Sequence, residues 1–218
     1  MVEITGRPIR LIPSRFPPIQ AFDDVASPDD LEAVMALEGW TNDRLVADRL
    51  DRLPRDQWVY GRPNASVVMA SFLHPADGGS RFNGPDLGAW YAGRDLKTAV
   101  AEVAHHVRRD LHNTGKTAGV FEYREYRMTL GGDYEDIRGQ QATKPELYHP
   151  TDYSRSQPHG ENLRANQQPG ILYDSVRLRG GENIACLQPS LVLDVAQADH
   201  WRLTISVDQP PVARKQMA

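Results

Sequence analysis

Three stretches of this chain carry polar residues whose types and setting suit chemistry. Gly79-Ser80-Arg81-Phe82-Asn83-Gly84 holds a cation, the segment from Tyr91 to Glu102 runs from a phenol to a carboxylate, and Ser175-Val176-Arg177 supplies a hydroxyl. A guanidinium fork grips phosphate or pyrophosphate through paired hydrogen bonds. A carboxylate stabilises the positive charge that develops on a sugar when a glycosidic bond breaks. The set therefore suits an anionic nucleotide that is attacked at its sugar.

Each residue also has a purely structural reading. Arg81 can pair at the surface with Asp77 or Asp86, which carries little information because exposed pairs are common and weak. Tyr91 ends an apolar run, where a ring either fills the core or stacks on a base. Glu102 is either a solvated helix acid facing His106 or a carboxylate with a task, since a helix face packed on a sheet is a costly place for an unpartnered charge. Ser175 either caps a turn or binds a ligand. No Gly-x-Ser-x-Gly surrounds it, so an esterase-type elbow is excluded.

The elements that must position these residues are legible in part. Ser27-Pro28-Asp29-Asp30 supplies an N-cap and a first-turn proline, which predicts a helix over 28–38; a second short helix is expected within 42–53. Val67 to Leu73 is an apolar run of strand length and is expected to be a core strand. The loop from His74 to Pro85 delivers Arg81 to a strand over 88–92. Asp95 then caps a helix on which Leu96, Ala99, Val100, Val103 and Val107 form one stripe. Glu102 lies roughly 60° from Ala99, at the border of that stripe, and can reach a cleft without being sealed in the core.

Further along, Val120 to Met128 predicts one or two strands, residues 133–150 read as loop, and a helix leads to about Asn166. Gly170 to Tyr173, Asn183 to Leu187 and Leu191 to Leu193 are expected strands. The opening Arg7 to Pro18 is too Pro-rich for a helix and reads as extended chain. This organisation predicts an N-terminal extension over 1–60 packed on a core over 61–208, with a flexible tail over 209–218.

Composition excludes several classes. At 218 residues the chain is within one domain's range, and its net charge of −4 argues against nucleic-acid binding. Cys186 is the only cysteine, which excludes an internal disulfide or thiolate cage and fits a reducing compartment, so a cytoplasmic protein is expected. No long apolar run or signal-peptide pattern occurs. His105 and His106 are adjacent and face different ways on a helix, so no metal site is expected. Neither the Rossmann nor the P-loop glycine pattern is present.

Several of these blocks, taken in order, resemble the RES family. Gly78-Gly79-Ser80-Arg81-Phe82-Asn83 is similar to its Gly-Gly-Arg-Trp-Asn turn with one insertion and Phe for Trp; Tyr91-Ala92 followed by Ala101-Glu102-Val103 matches its strand Tyr and helix Glu eleven residues apart. Asp152 to Gln157, Gly170 to Arg177 and the Arg10 to Pro18 opening resemble further family blocks. The resemblance implies a compact α+β fold with a small split or mixed sheet and flanking helices, like that of ADP-ribosyltransferase toxins. It also implies a bacterial toxin that cleaves the nicotinamide N-glycosidic bond of NAD, with Arg81, Glu102 and Ser175 catalytic and no metal. NAD would be held with the help of Tyr91, of Ser154 as the alternative family serine, and of Arg10 or Arg15. The acceptor is inorganic phosphate, water or a protein side chain; a non-catalytic NAD-binding module is the competing class. The implied partner is a helix-turn-helix antitoxin of Xre type, with no direct nucleic-acid or membrane contact.

Overall fold

Sheet pairing starts at the N-terminus. In the computed structural model, which describes residues 1–16, 22–27, 29–31, 33 and 44–216, Val2–Glu3 (β1) and Ile9–Pro13 (β2) are strands. Helices follow at Arg44–Asp51 (α1) and Ala65–Leu73 (α2), then strand Trp90–Gly93 (β3), helix Leu96–Asn113 (α3), and strands Ala118–Leu130 (β4) and Asp133–Asp136 (β5). Helix Ser156–Ala165 (α4) precedes strands Gly170–Asp174 (β6), Glu182–Cys186 (β7), Val192–Ser206 (β8) and Val212–Lys215 (β9). The strands form one mixed nine-stranded sheet in the order β1-β5-β6-β7-β3-β2-β4-β8-β9. Among the described strands only β5 and β6 run parallel. The architecture is thus α+β, a single domain with helices on both faces of one sheet.

Register decides what each face carries. Tyr91, Ala185 and Ile171 align across β3, β7 and β6, and with Phe82 and Tyr173 they form a cluster on the face that α3 and α4 cover. Trp90, Ala92, Ile184 and Cys186 point the other way, into the core shared with α2. Helix α3 buries Ala99, Val100, Ala104, Val107 and Leu111 against β2, β4 and β8. Its start is fixed as expected: Asp95 accepts a hydrogen bond from the Thr98 amide at 2.8 Å, satisfying one orphan donor of the first turn.

The sheet is split where it matters. Strands β2 and β3 pair through one residue couple, Ile9 with Gly93, and beyond it they part. In the gap Arg10 donates from Nη1 to the Tyr91 carbonyl at 3.2 Å, so a side chain takes over where the backbone ladder stops.

Several sequence expectations are corrected. Residues 67–73 belong to a helix, not a strand. Buried Ala65, Val68, Met69, Phe72 and Leu73 recur at helical spacing, and a short apolar run does not distinguish the two by composition. The cap of α2 is tertiary: the Asp23 carboxylate accepts from the amides of Asn64 and Ser66 at 2.7 and 2.8 Å. Within 133–150, read as loop, β5 pairs with both β1 and β6. The N-terminal residues are built into the sheet, with β2 between β3 and β4, rather than laid on it as an extension. The tail is not frayed throughout, since β9 pairs with β8. Of the helix expected over 28–38, residues 29–31 and 33 are helical and Ser27 Oγ accepts from the Asp30 amide; the rest lies outside the described residues, as do Pro17 and Pro18. No helix among the described residues is long and apolar enough to cross a membrane.

Candidate functional site

Under α3, where β2 and β3 part, lies a cavity of about 310 Å³. Arg10, Arg81, Tyr91, Glu102, Tyr173 and Asn183 all line it, with Arg109, His106 and Tyr153 around them. Three guanidinium groups thus face one carboxylate in a chain that is net negative. The local excess of positive charge suits an anion.

Glu102 is the most constrained member. Ser175 Oγ donates to its Oε1 at 2.7 Å and Asn183 Nδ2 donates to the same oxygen at 2.6 Å. Ser175 is 5 % and Asn183 3 % exposed, so these are bonds made away from water. Two hydrogen bonds to a charged group, each worth about 1.5–3 kcal/mol, are of the size needed to offset the several kcal/mol of partial desolvation. Among the described residues Oε2 has no hydrogen-bond partner.

Ser175 caps its turn, the structural reading of the sequence, and it also holds Glu102. Its Oγ accepts from the amides of Arg177 and Leu178, each at 3.1 Å, capping the turn after β6, and it spends its proton on Glu102. It acts on the cavity through Glu102 and is not itself among the lining residues.

Arg81 is 7 % exposed, which removes the surface pairing with Asp77 or Asp86. Its Nη1 donates to the carbonyls of Leu147 and His149 at 3.1 and 2.8 Å, and its Cζ stands 4.9 Å from the centre of the Tyr153 ring. The remaining guanidinium N–H groups have no hydrogen-bond partner among the described residues. The turn that carries Arg81 is clamped from α4. Gln157 Nε2 donates to the Gly78 and Ser80 carbonyls, and Glu161 Oε1 accepts from the Gly84 amide. Two glycines permit this: Gly79 has φ +72°, and a Cβ on Gly160 would stand 1.9 Å from the Phe82 carbonyl, so only glycine lets α4 come so close.

Tyr91 is held by its hydroxyl, which donates to Asn83 Oδ1 and accepts from the Phe82 amide, both at 2.9 Å. Burial pushes its phenol far above the ordinary value, and burial does the same to Tyr173. Both stay protonated at neutral pH. Arg10 stacks 4.6 Å over Trp90; loss of water lowers it to about 10, partly opposed by Tyr91, so it remains a cation at neutral pH. Beside the site, burial together with the Arg177 charge lowers His105 to about 4.

The structure therefore gathers Arg10, Arg81, Tyr91 and Glu102, with Ser175 behind Glu102. It places the other two candidates elsewhere: Ser154 is exposed on the approach to α4, and Arg15 lines a separate groove beside the end of α3. Asn183, Tyr173 and Tyr153 were missed. A signal for Asn183 existed, since it is a lone amide beside Ile184, Ala185 and Cys186 in a buried strand, and such a polar group needs a partner. Among the described residues no group of three or more His, Cys, Asp or Glu could hold a metal ion.

Comparison with known proteins shows the family. The RES domain family model matches residues 49–206, so the chain belongs to the RES domain family. An uncharacterized protein y4oC of Sinorhizobium fredii is 29 % identical over 130 residues, which span 59 % of this chain and 56 % of that protein. The match thus spans little more than half of that relative's length. Among solved structures, the chain is similar to the M. tuberculosis MbcT-MbcA toxin-antitoxin complex with a TM-score of 0.44 and 15 % identity, over 74 % of this chain and 93 % of that one.

Proposed function

We propose that this protein is the toxin of a toxin-antitoxin module and cleaves the nicotinamide N-glycosidic bond of NAD. The observation that carries the reading is Glu102: one oxygen is fixed by Ser175 and Asn183 and the other is open, in a cavity rich in arginine. Membership of the RES family supports it.

As the bond breaks, its electron pair leaves with the nicotinamide nitrogen, which becomes neutral, and positive charge spreads over C1′ and the ring oxygen of the ribose. Glu102 Oε2 stabilises that charge and accepts a hydrogen bond from a ribose hydroxyl. Fixing Oε1 in advance means that little reorganisation is needed during the reaction. Arg10, in the gap between β2 and β3, and the free N–H groups of Arg81 hold phosphate oxygens, while Tyr91, Tyr153 and Tyr173 give the nicotinamide and ribose aromatic walls. The cation at C1′ is then captured by inorganic phosphate, water or a protein side chain; with phosphate the reaction is a phosphorolysis, which needs no further reactant. Unchecked turnover would exhaust the cell, and we assign its restraint to a helix-turn-helix antitoxin that covers the cavity.

Expression in a bacterial host tests the reading. At about ten turnovers per second, a micromolar catalyst empties a millimolar NAD pool within minutes, whereas a binder sequesters almost none of it. The wild-type chain should lower cellular NAD and stop growth, and Glu102→Gln at equal abundance should do neither. Equal growth arrest by both with NAD unchanged would contradict it.

A further inference from the structure

A second cavity, of about 580 Å³, opens on the opposite face of the split sheet, between β2, β4 and α2. Arg10, Leu11, Ala76, Ser80 and Tyr91 line both cavities, so both border the gap where β2 leaves β3.

Its chemistry differs from that of the first. The walls are mostly apolar, from Ile12, Val67 and Ala70 to Tyr126, yet Arg124 also lines it and is only 6 % exposed. Arg124 Nη2 donates to the Phe16 carbonyl, and its Nε is buried with no hydrogen-bond partner. Among the described residues no carboxylate pairs with Arg124 or with Arg10. Register puts the two arginines on one face: Arg10 aligns with Tyr126 and Ile12 with Arg124 on neighbouring strands. A buried cation with an orphaned donor is costly unless an anion completes it. An apolar slot beside two such cations fits a flat heterocycle that carries a phosphate.

We propose that this second cavity is the subsite for the adenylate half of the dinucleotide, with its phosphate on Arg10 and Arg124 and its adenine against Val67, Ala70 and Tyr126. The inference rests on the NAD reading above and extends it: the ligand threads the gap between β2 and β3, with nicotinamide under α3 and adenine against α2. At 310 Å³ the first cavity is at the lower end of the volumes that hold small ligands, roughly 300–1,000 Å³, and the second supplies the rest.

The test is calorimetric titration of the whole protein with AMP, adenosine and inorganic phosphate, on wild type, Arg124→Gln and Ala70→Trp. Ala70 is an exposed helix position, so the second variant fills the groove without disturbing the core and stands in if Arg124→Gln misfolds. AMP should bind more tightly than either fragment, and each folded variant should weaken it about tenfold or more. In turnover assays both variants should raise KM for NAD with kcat little changed, and leave KM for nicotinamide mononucleotide unaltered. Failure of AMP to bind at millimolar concentration, equal affinity for AMP and phosphate, or unchanged AMP affinity in both variants would overturn the subsite. If NAD turns over with KM unchanged in both, the subsite falls and the cleavage reading stands; if AMP binds as described but NAD is never consumed, the reverse holds.

Discussion

Glu125 and Glu102 are each gripped by two donors, and they serve different ends. Glu125 on β4 is fully buried; its Oε1 accepts from Arg127 Nε and its Oε2 from Trp201 Nε1, each at 2.6 Å. Both oxygens are used, and the group ties β4 to β8. Glu102 has both donors on one oxygen and keeps the other facing a cavity. The same number of hydrogen bonds makes a structural clamp in one place and a held, half-vacant acceptor in the other. Burial alone would have chosen Glu125 as the site, whereas the distribution of partners points to Glu102.

The contrast breaks most sharply under substitution by the neutral isostere. Glu102→Gln keeps an oxygen for Ser175 and Asn183 and removes the charge, so turnover should fall about a hundredfold or more with little change in unfolding temperature. Glu125→Gln should do the opposite, costing about 1–3 kcal/mol of stability and leaving turnover per folded molecule unchanged. Denaturant unfolding and NAD consumption, measured on the same preparations, check both.

A second substitution sharpens the role of the partners. Asn183→Asp places two carboxylates in hydrogen-bond contact, and such a pair retains one proton between them. While the introduced carboxyl group holds that proton it can still donate to Glu102; once the proton leaves with rising pH, repulsion displaces Glu102. The variant should therefore show a loss of turnover with rising pH that wild type lacks. A uniformly reduced rate with an unaltered pH profile would reduce Asn183 to packing.

The serines give a smaller effect. Ser175→Ala removes one donor to Glu102 and should lower turnover about tenfold, while Ser154→Ala, at an exposed position away from the cavity, should leave it unchanged. Equal rates in the two variants would remove Ser175 from the mechanism.

The smallest effect is on stability. His105 has an ordinary value of 6.5 and is lowered to about 4 in the fold, so the unfolded chain binds the extra proton between these limits. Its contribution is complete above pH 6.5 and is lost as pH falls toward 4. Unfolding titrations over that range should become flatter in His105→Gln.

What the sequence made legible follows from how local each signal is. The α3 stripe, the Asp95 cap and the Arg81 turn are encoded within a few residues, and all three stand as expected. Helix α2 was not legible because its cap comes from Asp23, more than forty residues away, leaving only an apolar run. Strands β5 and β9 are short and exist through partners elsewhere in the chain. Arg81, Tyr91 and Glu102 could be named from motif order, whereas Arg10 could be named only as an alternative to Arg15. Asn183, Tyr153 and Tyr173 were overlooked because their chemistry arises from what β7, β6 and the loop before α4 place beside Glu102. Ser154 and Ser175 both sit in family-like local sequence, with Ser175 favoured, and the turn after β6 brings Ser175 to the carboxylate.

The central claim is that Glu102 Oε2 faces a breaking N-glycosidic bond. Its most direct test is incubation of the purified wild-type protein with NAD, with and without inorganic phosphate, and identification of the products by mass spectrometry. The account predicts free nicotinamide in amount equal to the NAD lost, with the ADP-ribosyl fragment recovered on phosphate, water or protein. NAD recovered intact by a protein that binds it would contradict the account and leave a binding module.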